Sequence, residues 1–272
     1  MSNPLLTQVT RLPGATFTLP TRGLFYHNGE LSPDVVDGEV HVYPLTSIDE
    51  IELKTPDLLF NGKAIENVFK RCIPSILKPM DLTTMDVDYL LVCLRLVSYG
   101  SEISVKFNHG CKDDSKDHTY TGSVEDFVFS SKTLTEMDFQ REFVLEHSSG
   151  CKVTASPLLY KHFIKIMTDV EADINSDGTT LDSAEKLRRE TVQLANNISQ
   201  VQTPTGAIVT EKDYIAEWLA TLDVRQIHEI SSLFERQTRW GCEAVLHRVC
   251  PDCGSQLHVP VSINPIVFFT WS

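Results

Sequence analysis

Two segments of the sequence carry the spacing of apolar residues that is typical of helices in a protein core. Each segment begins with a capping-box pair, Thr83 with Asp86 in the first and Asp223 with Gln226 in the second, and each is followed by a glycine. Apolar residues cover most of the first helix, which predicts a buried central helix, and one face of the second. The apolar positions are Val87, Leu90, Leu91, Leu94 and Val97 in the first helix and Val224, Ile227, Ile230, Leu233 and Phe234 in the second.

Each of these helices is followed by two alternating segments that flank a polar turn, which predicts a β-hairpin. The first turn, the first knuckle, runs from His109 to His118, and the second knuckle runs from Cys250 to Gly254. Because the order of elements repeats along the chain, we infer an internal duplication. The predicted fold is therefore α+β with two pseudo-repeated halves, each holding short strands, a buried helix and a zinc-ribbon-like hairpin knuckle. The halves are residues 1–134 and 135–272.

The remaining segments follow the same plan in both halves. Residues 14–45 predict short strands and turns, and residues 48–77 predict helices. In the second half, strands are predicted within residues 142–155, and helices over residues 160–170 and 182–201. A polar insertion at residues 171–213 has no counterpart in the first half.

The composition is that of a globular protein with an acidic surface. Hydrophobic residues make up 42% and charged residues 22% of the 272-residue chain, and the net charge is −13. A protein that binds nucleic acid needs clustered positive charge to neutralise phosphates, and no such cluster stands out in the sequence. We therefore expect no binding to nucleic acid or to an anionic membrane.

Cysteine usage favours a reducing compartment. The seven cysteines are an odd number, and Cys72 and Cys93 fall within apolar helical patterns. Residues 1–11 lack the basic start and apolar stretch of a signal peptide, and no apolar run reaches the roughly 18 residues that a membrane-spanning helix needs. We expect the protein to be made in the cytoplasm and to stay there until it is assembled.

The second knuckle has the pattern of a zinc ribbon. Cys250 and Cys253 form a C-x-x-C pair followed by glycine, between two predicted strands. A closed tetrahedral site needs two more ligands, for which we predict Cys242 and His258. The alternative is a degenerate knuckle that keeps the turn and binds no metal, which the lack of a second C-x-x-C favours. Further candidate ligands are His247, His109, Cys111 and His118.

One segment has part of a calcium-binding pattern. The sequence from Asp173 to Gly178 resembles the first half of an EF-hand loop, with side-chain oxygens at alternate positions and a glycine for the turn. The twelfth position of that loop should supply a bidentate carboxylate, and here it is Ala184. We therefore favour an acidic, solvated loop over a calcium site.

Motifs of catalysis are lacking in the sequence, which holds no G-x-S-x-G, no P-loop and no H-E-x-x-H. His162 and His228 lie on segments with helical periodicity, where a structural role is the simpler interpretation. A reaction needs a constellation of groups rather than one titratable side chain. We predict that the protein is not an enzyme.

The C-terminal segment from Pro265 to Trp271 is apolar and aromatic. It predicts either a last strand of the core or an anchor that docks on a partner protein. The sequence leaves both alternatives open.

Several motifs follow one another along the first half of the chain. They run from Leu19 to Tyr26, from Val42 to Thr46, from Pro56 to Lys63, from Asp86 to Leu91 and from Ser98 to Gly100. In their order and spacing, these motifs resemble the baseplate hub family of T-even-like contractile-tailed phages. The resemblance covers about residues 17–125, and in the second half it rests mainly on the second knuckle and on Phe268 and Phe269.

The resemblance implies a subunit or assembly protein of a phage baseplate hub, which binds other baseplate hub and tape-measure proteins in a hetero-oligomeric assembly and performs no chemistry. It further implies a location in the host cytoplasm during assembly, and it leaves open whether the protein then stays in the virion tail baseplate or leaves after assembly. A second hypothesis is a zinc-stabilised intracellular adaptor or regulatory protein. We expect docking at the two knuckles, at the Arg22–Gly23 loop and at the C-terminal tail. The predicted docking residues are Arg22, His109, Cys111, His118, Phe268, Phe269 and Trp271.

Overall fold

A computed structural model describes residues 13–110, 117–177, 191–192, 194–237 and 239–269. The strands in these ranges are β1 (Ala15–Thr18), β2 (Glu39–Val42), β3 (Glu102–Phe107), β4 (His118–Ser123), β5 (Phe143–Glu146), β6 (Lys152–Ala155), β7 (Ile198–Gln202), β8 (Ile208–Val209), β9 (Val245–Val249) and β10 (Gln256–Pro260). The helices are α1 (Ser47–Leu53), α2 (Pro56–Phe60), α3 (Lys63–Cys72), α4 (Thr84–Tyr99), α5 (Val124–Phe129), α6 (Tyr160–Asp177), α7 (Lys212–Ala220), α8 (Val224–Gln237) and α9 (Pro265–Phe268).

The strands form small antiparallel sheets, which confirms the α+β fold class. Three sheets are two-stranded hairpins: β1 with β2, β3 with β4, and β9 with β10. The fourth sheet has the order β5-β6-β7-β8. Among the helices described, none has both the length and the hydropathy to cross a membrane.

Helix α4 lies at the centre of the largest core. Apolar residues cover most of the circumference of this helix. Burial on several sides therefore stabilises it more than burial of one face stabilises an amphipathic surface helix. Even Arg95 on this helix is only 1% exposed. Its guanidinium donates from Nη2 to the carbonyl oxygen of Glu102 at 3.0 Å and lies over the rings of Tyr99 and Phe268. The helix therefore holds the start of β3 and the C-terminal segment together.

The largest core takes residues from both predicted halves. Backbone hydrogen bonds join the start of α4 to the second half, from Thr84 to Leu158 at 2.9 Å and from Tyr160 to Leu82 at 2.8 Å. The boundary near residue 134 therefore does not divide the core, and the internal duplication stays a prediction. The residues that the second half contributes are Tyr160, Leu246, Val259, Val261, Phe268 and Phe269.

The polar insertion supplies two strands to the four-stranded sheet. The prediction of a helix up to residue 201 is wrong at its end, because Ile198–Gln202 forms β7, which pairs with both β6 and β8. Ile198 and Val201 are buried in a second core that also contains Val153 and Ile215, so tertiary packing fixes the extended conformation here. Residues 203–206 form the turn between β7 and β8, where the nitrogen of Gly206 donates to the carbonyl oxygen of Thr203 at 2.9 Å.

The C-terminal segment belongs to the core of this chain. Asn264 caps α9 by accepting a hydrogen bond from the backbone nitrogen of Ile266, and Phe268 and Phe269 are 3% and 0% exposed. Of the two alternatives, the structure supports the core rather than the anchor, although the element is a short helix instead of a strand. The predicted docking roles of Phe268 and Phe269 conflict with this burial. Trp271 lies outside the described residues.

Helix α8 begins as the sequence predicts. Asp223 accepts from the backbone nitrogens of Arg225 and Gln226 at 2.8 and 3.0 Å, and the Gln226 side chain accepts in return from the nitrogen of Asp223 at 3.1 Å. Val224, predicted on the apolar face, is instead 87% exposed, because it lies in the first turn beyond the packed surface. Gly241 does not cap this helix but forms a β-bridge with Lys132.

Candidate functional site

The two hairpins that carry the knuckles lie side by side. Arg248 on β9 donates from Nε to the carbonyl oxygen of Thr121 on β4 at 2.7 Å. Gly122 on β4 faces Leu246, and a Cβ atom added at this glycine would lie 2.2 Å from Leu246 Cδ2. The absence of a side chain at Gly122 therefore permits this close approach of β4 and β9. We call β3–β4 together with β9–β10 the paired hairpins.

The pairing brings the two knuckles together at one end. His109, Cys250 and Cys253 each offer a ligand atom within 4.8 Å of the other two. His109 Nε2 lies 3.3 Å from Cys253 Sγ. The other ring nitrogen of His109, Nδ1, is buried and has no hydrogen-bond partner among the described residues. The thiols are thus the polar groups toward which this imidazole is oriented.

Local backbone structure fixes the second knuckle. The nitrogen of Cys250 donates to the carbonyl oxygen of Ser255, and the nitrogen of Gly254 donates to the carbonyl oxygen of Cys250, both at 2.9 Å. Gly254 has a φ of 71°, a conformation that glycine adopts without strain. Cys250 is buried at the base of the turn, and Cys253 is exposed at its tip. Both cysteines are free thiols.

Two hydrogen-bonding groups favour the ionised form of Cys253. The hydroxyl of Ser255 lies 3.2 Å from its sulfur, and Nε2 of His109 lies 3.3 Å from it. Hydrogen bonding of the Cys253 sulfur with the side chain of Ser255, and then with that of His109, lowers the pKa of this thiol to about 6. A thiol with such a pKa is a metal ligand or a nucleophile at neutral pH.

His118 lies beside this group. Its ring centroid is 6.3 Å from that of His109, and its Nε2 is 3.3 Å from an oxygen of Asp252 in the second knuckle. The first knuckle therefore contacts the second through both of its histidines. Cys111 lies outside the described residues.

The two ligands predicted from the sequence do not belong to the group of His109, Cys250 and Cys253. The ring of His258 packs edge-on against His247, its cross-strand neighbour, with centroids 4.7 Å apart. Cys242 lines a groove elsewhere, where burial and then the charge of Asp88 raise its pKa to about 12. Sequence proximity selected these residues, whereas the ligand that meets the cysteines comes from the other hairpin.

The groove that Cys242 lines has a volume of about 580 Å³ and is mainly apolar. Asp88 also faces it, and burial raises the pKa of this carboxyl to about 6. Both shifts favour the neutral forms, so Cys242 is a thiol of low reactivity rather than an activated nucleophile. The arrangement gives no support to catalysis by this cysteine.

The Arg22–Gly23 loop is held against the protein. Arg22 has a φ of 53° and forms an ion pair with Asp37. The neighbouring Thr21 is fully buried and donates through both its backbone nitrogen and its hydroxyl to the carboxylate of Asp86. The side chain of Arg22 is 31% exposed, so only part of it is available to a partner.

The segment that resembles a calcium loop is helical. The backbone of residues 173–177 continues α6, which is not the loop conformation that an EF-hand site requires. The favoured alternative of an acidic loop is wrong for these residues as well. Gly178 and Ala184 lie outside the described residues.

Comparison with models of protein families identifies the family of this chain. The model of a family described as T4 bacteriophage base plate protein matches residues 45–269, a range that includes both of the paired hairpins. No curated protein and no solved structure matches the chain significantly.

Proposed function

Because this chain belongs to the T4 bacteriophage base plate protein family, we propose that it is a baseplate hub subunit or hub assembly protein, which acts by binding other proteins and catalyses no reaction. The family makes it a phage baseplate protein. Beyond the family assignment, we propose the role in the hub. We also propose the partners, which are other baseplate hub proteins and the tape-measure protein. The observation that carries the proposal is the family match, which spans most of the chain.

The end of the paired hairpins is the docking surface that we propose. Val249, at the end of β9, is 61% exposed although it is apolar, and Asp252 and Cys253 next to it are exposed as well. Tight turns present such side chains rigidly, so little conformational entropy is lost when a partner binds them. Arg22, partly exposed in its loop, is a second contact in the proposal.

A structural role agrees with the chemistry of the described residues. Cys253 beside His109 resembles a cysteine–histidine nucleophile pair, but it lies exposed at the tip of a turn rather than in a cleft that shields a substrate. A third ligand-type atom, from Cys250, lies within 4.8 Å, and that set suits a metal better than a substrate. The zinc-stabilised host adaptor is not favoured, because the matching family is one of phage baseplates.

The proposed role also implies where the protein is found during and after assembly. The chain meets its partners in the host cytoplasm while the baseplate is built, and as a subunit it would then stay in the tail baseplate of the virion. Imaging of mature tails decides between subunit and assembly factor, since only a subunit is present there.

The test is co-expression of the chain with the hub and tape-measure proteins of the same phage, followed by size-exclusion chromatography with light scattering. We expect a stable complex with at least one of these proteins. The variant Val249→Glu should weaken the complex more than tenfold, because it places a charge in an apolar contact.

Ile208→Glu is the matched control, since Ile208 is an apolar residue of similar exposure, 60%, on β8 of the four-stranded sheet. This variant should leave the complex intact. A chain that stays monomeric beside every hub and tape-measure protein would contradict the proposed role. Equal effects of the two variants would contradict the proposed surface.

A further inference from the structure

We propose that His109, Cys250 and Cys253 bind one zinc ion, which joins the ends of the paired hairpins. The inference does not depend on the proposed function, because it concerns the ligand chemistry and the geometry of three side chains. It assigns a ligand from the first knuckle to a C-x-x-C pair in the second.

The ligand types select zinc among the common metals. Two thiolates and an imidazole are soft or borderline donors, which bind zinc and bind calcium or magnesium poorly. With zinc–sulfur and zinc–nitrogen bonds of about 2.3 and 2.0 Å, the edge between these atoms in a tetrahedron is about 3.5 Å. His109 Nε2 and Cys253 Sγ lie 3.3 Å apart, so an ion fits between them without a large movement of either ring or turn.

The second knuckle presents its two sulfurs in the way that zinc ribbons do. The backbone bonds between Cys250, Gly254 and Ser255 close a tight turn, which places Cys250 and Cys253 on the same side. The hydroxyl of Ser255 at the sulfur of Cys253 is an outer partner of the type that orients metal ligands. Half of the tetrahedron is therefore built by local structure.

The third ligand comes from a distant part of the sequence. His109 follows β3, and its Nε2 reaches Cys253 across a separation of 144 residues. The imidazole is placed there by the packing of β4 against β9 at Gly122 and by the hydrogen bond from Arg248 to Thr121. A metal at this position therefore stabilises the contact between the hairpins, because binding is possible only when they are paired.

Two other chemistries are open to the same residues, and each has a distinct signature. A disulfide between Cys250 and Cys253 would remove both thiolates and with them the metal. A reactive cysteine–histidine pair would leave Cys253 open to alkylation in the protein as isolated, whereas a bound zinc ion would protect it.

The test is metal analysis of the full chain, purified with a thiol reductant and without chelator. We expect about one zinc ion per chain by mass spectrometry. Cobalt substitution should give a tetrahedral spectrum with thiolate-to-metal charge transfer. His109→Gln and Cys253→Ser should each weaken zinc binding at least about 100-fold, more than the loss of an outer partner usually does.

Matched controls come from the residues that the sequence alone suggested. His258→Gln and Cys242→Ser should keep about one zinc ion per chain, as measured in the same way. His109 and Cys253 lie at the ends of turns, so their variants should fold, and circular dichroism verifies this. The melting temperature is a second readout. Chelation should lower the melting temperature of the unaltered protein, and added zinc should restore it. Added zinc should not change the melting temperature of Cys253→Ser.

Three results would overturn the proposal. The first is a folded, reduced chain that binds no zinc. The second is a loss of zinc in His258→Gln or Cys242→Ser while His109→Gln retains it. The third is rapid alkylation of Cys253 in protein that contains stoichiometric zinc. Because none of these measurements involves a partner protein, failure here leaves the proposed hub role to its own test.

Discussion

At the scale of single residues, Asp86 shows how a local signal and a tertiary role compete. The sequence predicts a capping box with Thr83, and the structure builds half of it: the backbone nitrogen of Asp86 donates to the Thr83 hydroxyl at 3.4 Å. The carboxylate turns away and accepts hydrogen bonds from Thr21 and from the hydroxyl of Tyr26. Tyr26 in turn accepts from the nitrogen of Thr83 at 3.1 Å. Asp86 therefore fastens the loop before β2 to the start of α4.

We predict that Asp86 makes the stability of the protein depend on pH. Burial raises the pKa of this carboxyl to about 6, partly offset by its hydrogen bonds with Thr21 and Tyr26. The folded state therefore holds the proton more tightly than the unfolded state, so this contribution to stability is complete below about pH 4 and is lost as the pH rises through about 6. Relative to Asp86→Asn, the unaltered protein should lose roughly 1 kcal/mol between about pH 5.5 and about pH 7.5.

Urea unfolding of both proteins across this range measures the difference. Asp126→Asn is the control, because Asp126 is an exposed aspartate on α5, and its curve should run parallel to that of the unaltered protein. If Asp86→Asn also runs parallel, Asp86 is not the group that titrates.

At the scale of elements, the hairpins were predictable from the sequence, but their pairing was not. The strands β3 and β4 flank the first predicted turn, and β9 and β10 flank the second, because alternation and turn residues are local signals. The close contact between β4 and β9 depends on glycine at position 122, because a side chain there would collide with Leu246 and Arg248. A glycine in a strand has many explanations, and only the structure shows which neighbour approaches it.

We predict that Gly122→Val separates the hairpins. The larger side chain would collide with Leu246 and with the end of Arg248, and such overpacking costs about 1–3 kcal/mol. The free energy of unfolding from urea titration should fall by that amount. If zinc binds at the knuckles, its affinity should fall as well.

Ser104→Val tests whether valine by itself has this effect in the same hairpin. Ser104 is exposed on β3 and pairs with Thr121, so added bulk points to solvent there. We expect its stability to stay within about 0.5 kcal/mol of the unaltered protein. A loss of similar size in both variants would argue against the contact at Gly122.

At the scale of the whole molecule, the two predicted halves contribute residues to one shared core. Residues from the second hairpin and the C-terminal helix fill the core around α4, and Leu246, Val259 and Phe269 are almost fully buried there. The family match over residues 45–269 likewise crosses the predicted boundary without a break. The internal duplication inferred from the sequence stays a prediction, whereas the core is shared between the two predicted halves.

We predict that residues 1–134 do not fold without the rest of the chain. The fragment would lose six core residues of the second half, whose burial contributes at least about 9 kcal/mol, comparable to the whole net stability of a typical domain. The separate fragment should show no cooperative thermal transition by circular dichroism, whereas the intact chain should. A fragment that melts cooperatively by itself would show that the halves are separate domains.

The sequence by itself determined the features that depend on neighbours along the chain. The helices after Thr83 and Asp223, the hairpins and the C-x-x-C turn follow from the spacing of apolar residues and from capping and turn residues. The motifs, in their order, also pointed to phage baseplates, which the family match supports at the level of the baseplate. The position of β7 was missed because Ile198 and Val201 are extended by packing rather than by local preference.

Only the tertiary structure decided which distant groups meet. It placed His109 rather than His258 or Cys242 beside Cys250 and Cys253, directed Asp86 toward Thr21 and Tyr26, and buried the C-terminal phenylalanines. The physical reason is that such contacts join residues far apart in the chain, so they depend on the packing of whole elements. Periodicity along the sequence specifies which face of an element is apolar, but not which other element will cover it.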